Sequence, residues 1–121
     1  MKHSWHIRKI DKNIAVVAYS LYPKPHSRVV AGLVEVDILN FDVQCLEVEP
    51  KHRRKGYATA LMKRVIQDFG NEELSIIVEP EDFYDDAISI RNLQQFYRSF
   101  GFRGRGIFMT RAPSSMVRAN K

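Results

Sequence analysis

The residues best placed to do chemistry lie between Leu46 and Leu61, where LEVEPKHRRKGYATAL carries an apolar strand through Arg53, Arg54, Lys55 and Gly56 directly into an amphipathic helix. The first amides of a helix have no internal partners, and its dipole is positive at that end. An anion placed there gains hydrogen bonds and a favourable field together. A pyrophosphate suits such a site. Gly56 permits close backbone approach or a positive φ, the small Ala58 leaves room over the first turn, and Thr59 adds a hydroxyl donor. This pattern alone does not choose among nucleotides, coenzyme A and a plain solvated basic turn.

Other reactive side chains are sparse. Cys45 is the only cysteine, which excludes an internal disulfide and a multi-cysteine zinc site. A thiolate can accept an acyl group. Cys45 shares strand parity with Phe41 and Val43, however, and has no histidine near it in the chain, so it reads as buried and inert. His3, His6, His26 and His52 are scattered without ligand spacing, so no metal site is expected. His52 reads as loop surface.

The elements that must position these residues follow from periodicity. Trp5–Ile10 and Ile14–Leu21 are apolar and β-branched with Asp11 and Lys12 between them, predicting a hairpin. Pro23 and Pro25 interrupt the chain, and Arg28–Asp37 reads as a third strand with Gly32 as a bulge or a point of close approach. Phe41–Glu49 is the fourth. There Phe41, Val43 and Cys45 take one parity while Leu46 and Val48 take the other. Strict alternation of strand side chains then demands a β-bulge near Cys45 and Leu46.

Ala58, Leu61, Met62, Val65, Ile66 and Phe69 recur at helical spacing up to a stop at Gly70. Leu74–Val78 is a short buried strand ended by Pro80. Ser89 caps a second helix carrying Ile90, Leu93, Phe96, Tyr97 and Phe100, and Gly101 follows it. Phe102 and Gly106–Arg111 supply the last strand or two. The order β-β-β-β-α-β-α-β predicts a three-layer mixed α/β (α+β) domain with two helices covering a largely antiparallel sheet.

With 121 residues, 45% of them apolar, the chain can bury one core and has no room for a second. Residues 1–113 are expected to form that domain and 114–121 a flexible tail. Nineteen Lys and Arg against fourteen Asp and Glu give +5, which favours anionic partners. No run approaches the roughly 18 apolar residues of a membrane span, and the N-terminal residues lack the apolar centre of a secretory signal. A soluble, cytoplasmic protein without membrane partners is the expectation.

Val48-x-Pro50-x-x-Arg53-Arg54-Lys55-Gly56-Tyr57-Ala58-x-x-Leu61 resembles the acetyl-CoA pyrophosphate loop of the GCN5-related N-acetyltransferases, with Arg53-x-x-Gly56-x-Ala58 as its core. Leu93-x-x-Phe96-Tyr97-x-x-x-Gly101-Phe102 resembles that family's later helix and its Gly-Phe exit. The resemblance is close over Phe41–Arg111, while Trp5–Asp37 matches only as a run of strands. Two departures stand out. Members commonly place one or two helices between their first two strands, for which Ile10–Ile14 leaves no room, and many carry Asn in the first turn of the later helix, where this chain has Ile90 with Asn92 nearby.

The resemblance implies a reduced member of the family with acetyl-CoA as co-substrate, no metal, and direct acetyl transfer to a primary amine in a ternary complex. A bent fourth strand would splay from the fifth to admit the pantetheine arm, with Leu46 and Val48 giving it backbone groups and an amide stabilising the oxyanion. Arg53, Arg54, Lys55, Gly56, Tyr57, Ala58 and Thr59 would hold the pyrophosphate, and Asn92 would stand near the missing Asn. Tyr97 matches the tyrosine that often protonates the coenzyme thiolate. An acceptor amine with a pKa near 10.4 must lose a proton before attack. Glu47 comes first as the base and Glu79 second; Glu49 is also on the fourth strand, and an exposed strand glutamate is the ordinary alternative for each.

The acceptor would be a small molecule or a protein, and the chain a monomer or homodimer. Two other functions compete. One keeps the fold as a non-catalytic acyl-CoA-binding or protein-interaction module. The other is a basic nucleic-acid-binding domain in which Arg53, Arg54, Lys55, Arg103 and Arg105 contact phosphates, although no RNA-binding signature accompanies them.

Overall fold

The alternation in VVAYSLY and GLVEVD builds half-buried strands, as the computed structural model of the chain has them. The structure describes residues 5–52, 55–78, 90–104 and 106–115. In chain order the elements are β1 (His6–Asp11), β2 (Val16–Tyr22), β3 (Gly32–Asp37), β4 (Asp42–Val48), a 3₁₀ turn (Pro50–His52), α1 (Tyr57–Phe69), β5 (Leu74–Ile77), α2 (Ile90–Arg98) and β6 (Phe108–Arg111). They form one six-stranded sheet in the order β1-β2-β3-β4-β5-β6. Every neighbouring pair is antiparallel except β4 and β5. The mixed, mostly antiparallel sheet with two helices is the one the periodicity implied.

β3 begins at Gly32 and not at Arg28, because the preceding residues bond locally. Ser27 accepts the Val29 amide on its hydroxyl at 3.0 Å and donates its own amide to Lys24 at 3.0 Å, the way short hydroxylated side chains draw backbone out of a ladder. Between β1 and β2 the chain turns at once, with the Lys12 amide bonded to the Val16 carbonyl at 3.0 Å. No helix intervenes.

The core lies on one face of the sheet. Val17, Tyr19 and Leu21 of β2, Val34 and Val36 of β3, Val43 of β4, Leu74 and Ile76 of β5 and Met109 of β6 are all buried there. Against them α1 presents Leu61, Met62 and Val65, the stripe its spacing predicted. Gly32 lets the helix lie close, since a Cβ there would meet Leu61 Cδ1 at 3.2 Å and the Glu47 carbonyl oxygen at 3.1 Å. Leu61 is fully buried, so truncation to Ala is expected to cost about 2–5 kcal/mol.

Arg111 shows that α2 shares this face. It pairs across the ladder with Leu74, so its side chain points to the core side. There it is 7% exposed. Its guanidinium donates to the Phe100 carbonyl at 2.7 Å, just past α2, and to the Gly70 carbonyl at 3.3 Å, just past α1. It also reaches Ser114 Oγ at 3.2 Å and the Ala112 carbonyl at 3.3 Å. One cation thus reaches carbonyls just past the C-terminal ends of both helices, where the dipole favours positive charge, and shares the Gly70 oxygen with the Ser114 amide at 2.7 Å. Neither helix lies on the opposite face, where Ile77 and Phe108 are about half exposed, so the described residues form two layers, sheet and helices, in place of the three expected from the sequence. No described helix is long and apolar enough to cross a membrane.

The bulge required by the parity slip is present. Gly32 pairs with Val48 and Leu33 with Glu47, but Glu35 pairs with Gln44, so Cys45 and Leu46 together oppose Val34. Cys45 takes the extra turn with φ 53°. That conformation carries its side chain outward, and the expected buried thiol is in fact exposed.

Candidate functional site

Among the described residues β4 and β5 are paired only at Asp42–Ser75 and Val43–Ile76. Below this junction the Ser75 amide bonds to the Phe41 carbonyl at 3.0 Å. Across it the Ser75 hydroxyl donates to Asp42 Oδ1 at 2.9 Å, while Gln44 Nε2 reaches Asp42 Oδ2 at 3.4 Å. Above it the bulge bends β4 away, and the strands form an open fork.

Alternation fixes which backbone groups face that fork. The Glu49 amide donates to the Ala31 carbonyl at 2.9 Å, so residues 49 and 47 turn their backbone groups toward β3 and Val48 turns its own toward the β5 side. Leu46, half-buried, sits on the bulge itself. Glu47 pairs with Leu33, whose neighbours Gly32 and Val34 are on the core side, so the Glu47 side chain projects from the opposite face of the sheet. It is exposed.

The fork opens beside the start of α1. Gly56 precedes the helix with φ 80° and ψ 12°, and no side chain caps the first turn. A Cβ at Gly56 would meet nothing within 4 Å, so glycine is needed there for its backbone conformation and not for packing. The Gly56 carbonyl accepts the Ala60 amide at 3.0 Å, which leaves the amides of Tyr57, Ala58 and Thr59 pointing out of the helix end. Lys55 is exposed beside them, and Tyr57, Ala58 and Thr59 are partly buried. Arg53, Arg54 and Glu79, also expected at the site, lie outside the described residues, as does the Ser89 cap.

Tyr97 comes from α2 on the core side. It is 5% exposed and makes edge contacts with Phe96 at 5.2 Å and Phe102 at 5.9 Å. Burial pushes its phenol up to about 12, so it carries its proton throughout the neutral range. Asn92 is exposed on the first turn of α2. The structure therefore places Tyr97 on the helix side and Glu47 on the other, with the fork between the two faces.

Three features of this region escaped the sequence. Arg111 reads as the end of an edge strand, yet it ties down α2, the helix that bears Tyr97. His52, expected at the loop surface, is partly buried in the 3₁₀ turn, with its ring 6.0 Å from that of Tyr57 and its Nδ1 buried without a hydrogen-bond partner among the described residues. The aromatic residue starting α1 is the signal that could have revealed it. The third is a groove of about 620 Å³ between β1 and the flank of α1, with Trp5 and His6 on one wall and Thr59 and Lys63 on the other. No motif marks it.

Comparisons with known proteins bear on this geometry. The family described as acetyltransferase (GNAT) domain matches residues 10–104. A solved structure from Exiguobacterium sp. 255-15, provisionally assigned as an acetyltransferase, is similar with a TM-score of 0.57 and 14% identity, covering 91% of this chain and 71% of that one. Arabidopsis thaliana NAA60, solved in complex with a bisubstrate analogue, is similar with a TM-score of 0.53 and 14% identity, covering 79% of this chain and 72% of that one. No curated protein sequence matches significantly.

Proposed function

Because the chain belongs to the GNAT acetyltransferase family, we propose that it takes the acetyl group of acetyl-CoA and transfers it to a primary amine by direct attack within a ternary complex. The observation that carries this reading is the fork between β4 and β5 opening beside the uncapped first turn of α1. An extended arm with backbone-like amides fits the fork, and a pyrophosphate fits the helix end. The residues present therefore suit the coenzyme, which supplies the activated thioester.

In this reading the amides of Tyr57, Ala58 and Thr59 receive the pyrophosphate, with Gly56 setting the turn and Arg53, Arg54 and Lys55 adding positive charge. Backbone groups of Leu46 and Val48 hold the arm, and an amide from this bent strand stabilises the oxyanion of the tetrahedral intermediate. Glu47, on the face opposite the helices, takes a proton from the incoming ammonium directly or through one water, and Glu79 is the second candidate for that role. Tyr97, on the helix side, gives its proton to the departing thiolate. Asn92 stands at the mouth of the site on α2. Base and acid then work from opposite faces, which keeps the acidic carboxylate away from the thiolate it would repel. The bisubstrate analogue bound to the Arabidopsis neighbour is the kind of ligand such a direct-attack site admits.

The test is release of free thiol from acetyl-CoA across a panel of small amines and amine-bearing peptides, with each product identified by mass. An acetylated amine formed only in the presence of protein supports the reading. Coenzyme binding with no product from any amine would instead favour a second reading, a non-catalytic acyl-CoA-binding module. The tight β1–β2 turn at Lys12 and Val16, which omits any helix there, is the observation behind that alternative.

A further inference from the structure

The groove between β1 and α1 has two unlike walls. Trp5 and His6 form one; Thr59, Lys63 and Gln67, spaced one helical turn apart, form a column along the other. Gly56 belongs to the same groove, so it is continuous with the start of α1. Its volume of about 620 Å³ falls within the range of small-molecule sites.

The charges in it are unequally committed. Arg64 donates to Asp68 at 3.2 Å, with its guanidinium 5.5 Å from the Tyr19 ring centre. Asp68 is in turn occupied by Arg64 and Tyr19. Lys63 is exposed and has no hydrogen-bond or ion-pair partner among the described residues. An ammonium thus stands one helical turn, roughly 6 Å, beyond Thr59 along α1, with Trp5, partly buried against the core, in the other wall of the groove.

We propose that this groove receives the phosphoadenosine end of the coenzyme, with Lys63 holding the ribose 3′-phosphate and Trp5 lying against the purine. The inference rests on the acetyl-CoA reading above, because it places the pyrophosphate at the first turn of α1. From there a ribose bridges the single turn to Lys63. The ammonium supplies a charge-assisted contact to the phosphate, the indole supplies a flat apolar surface for the base, and Gln67 lies next along the column.

Trp5 is the only tryptophan and so reports on the groove directly. The experiment titrates the full chain with coenzyme A, 3′-dephospho-coenzyme A, adenosine 3′,5′-bisphosphate and 4′-phosphopantetheine, following Trp5 fluorescence and, separately, calorimetric affinity. Expected are quenching by the three adenine-bearing ligands and none by phosphopantetheine, with affinity at least about fivefold lower for the dephospho form. Lys63→Gln should erase that preference while leaving affinity for dephospho-coenzyme A unchanged. Position 63 is an exposed helix site, so the variant should fold as the wild type does.

Equal affinity of the wild type for coenzyme A and its dephospho form, or an equal loss for both ligands in Lys63→Gln, overturns the assignment of Lys63. Binding of coenzyme A with silent Trp5 overturns the placement of the purine. Quenching by adenosine 3′,5′-bisphosphate in a chain that releases no thiol from acetyl-CoA keeps the groove and removes acetyl transfer. Thiol release without any response to Lys63→Gln does the reverse. If no adenine-bearing ligand binds, both readings fall.

Discussion

Tyr19 donates its hydroxyl proton to Asp68 at 2.6 Å, joining the middle of β2 to the last turn of α1. Burial, then the hydrogen bond and charge of Asp68, push the Tyr19 phenol well above its ordinary value. Desolvation alone would raise Asp68, but the Tyr19 hydrogen bond and the Arg64 guanidinium outweigh it and hold the carboxyl below its ordinary value. The carboxyl's contribution to stability is complete above the unfolded carboxylate pKa and is lost as pH falls through the lower folded value. The phenol's is complete below about pH 10 and is lost as pH rises toward its raised folded value. Tyr19→Phe leaves Asp68 without this donor and should cost about 1–3 kcal/mol. Urea unfolding at neutral pH checks the size, and the same measurement toward about pH 3 should show the difference between wild type and variant shrinking.

Gly56 separates conformation from contact. With φ 80° and open space where a Cβ would stand, Gly56→Ala should cost about 1 kcal/mol for the left-handed backbone alone. Gly56→Val should cost more and weaken coenzyme binding at least tenfold, because a branched side chain at the helix start obstructs an arriving pyrophosphate. Thermal melts with and without acetyl-CoA read both effects. Unchanged affinity in Gly56→Val would remove this turn from the binding site.

Tyr97→Phe tests the proton donor. It keeps the ring and its contacts with Phe96 and Phe102, so coenzyme affinity should hold, while kcat should fall roughly 100-fold. The loss should shrink with an acyl donor whose leaving thiol is more acidic. With the phenol at about 12, no fall in rate from its ionisation is expected below about pH 11. Wild-type turnover in the variant, with chemistry rate-limiting, would leave Tyr97 a core aromatic.

Arg111→Met removes the cation that satisfies the Phe100 and Gly70 carbonyls together. The Phe100 carbonyl then loses its donor while the Gly70 carbonyl keeps the Ser114 amide at 2.7 Å, so stability should fall by about 1–3 kcal/mol. Arg111→Lys should recover only part of this, since one ammonium lacks the planar fork that reaches several acceptors at once. Chemical denaturation of the two variants gives the comparison.

Much of this fold is legible in local pattern. The parity slip between Cys45 and Leu46 demanded a bulge because strand side chains alternate without exception, and the ladder shifts there. Gly56 ahead of an apolar stripe marked a helix start. What the pattern could not say is which residue of the bulge turns outward. Keeping both parities in the core suggested a buried Cys45, whereas the left-handed turn falls on Cys45 itself and exposes it. Arg111 was illegible for another reason. Its partners, the Phe100 and Gly70 carbonyls, come from two helices far apart in sequence. The groove behind Lys63 likewise needs β1 laid beside α1, a relation that no local period encodes.

The two-rung junction of β4 and β5 also divides the sheet mechanically. Strands β1 to β4 with α1 form one densely hydrogen-bonded block, and β5 with β6 and α2 form another. The direct ladder between them is a seam held at Asp42–Ser75 and Val43–Ile76. The blocks still share one core and the Arg111 bond to Gly70, so the seam is where local opening is expected to begin, with amides of β5, β6 and α2 exchanging as a group. A molecule seated in the fork would act as a suture, and hydrogen exchange should slow across both blocks at once when it binds, including at amides far from any contact with it.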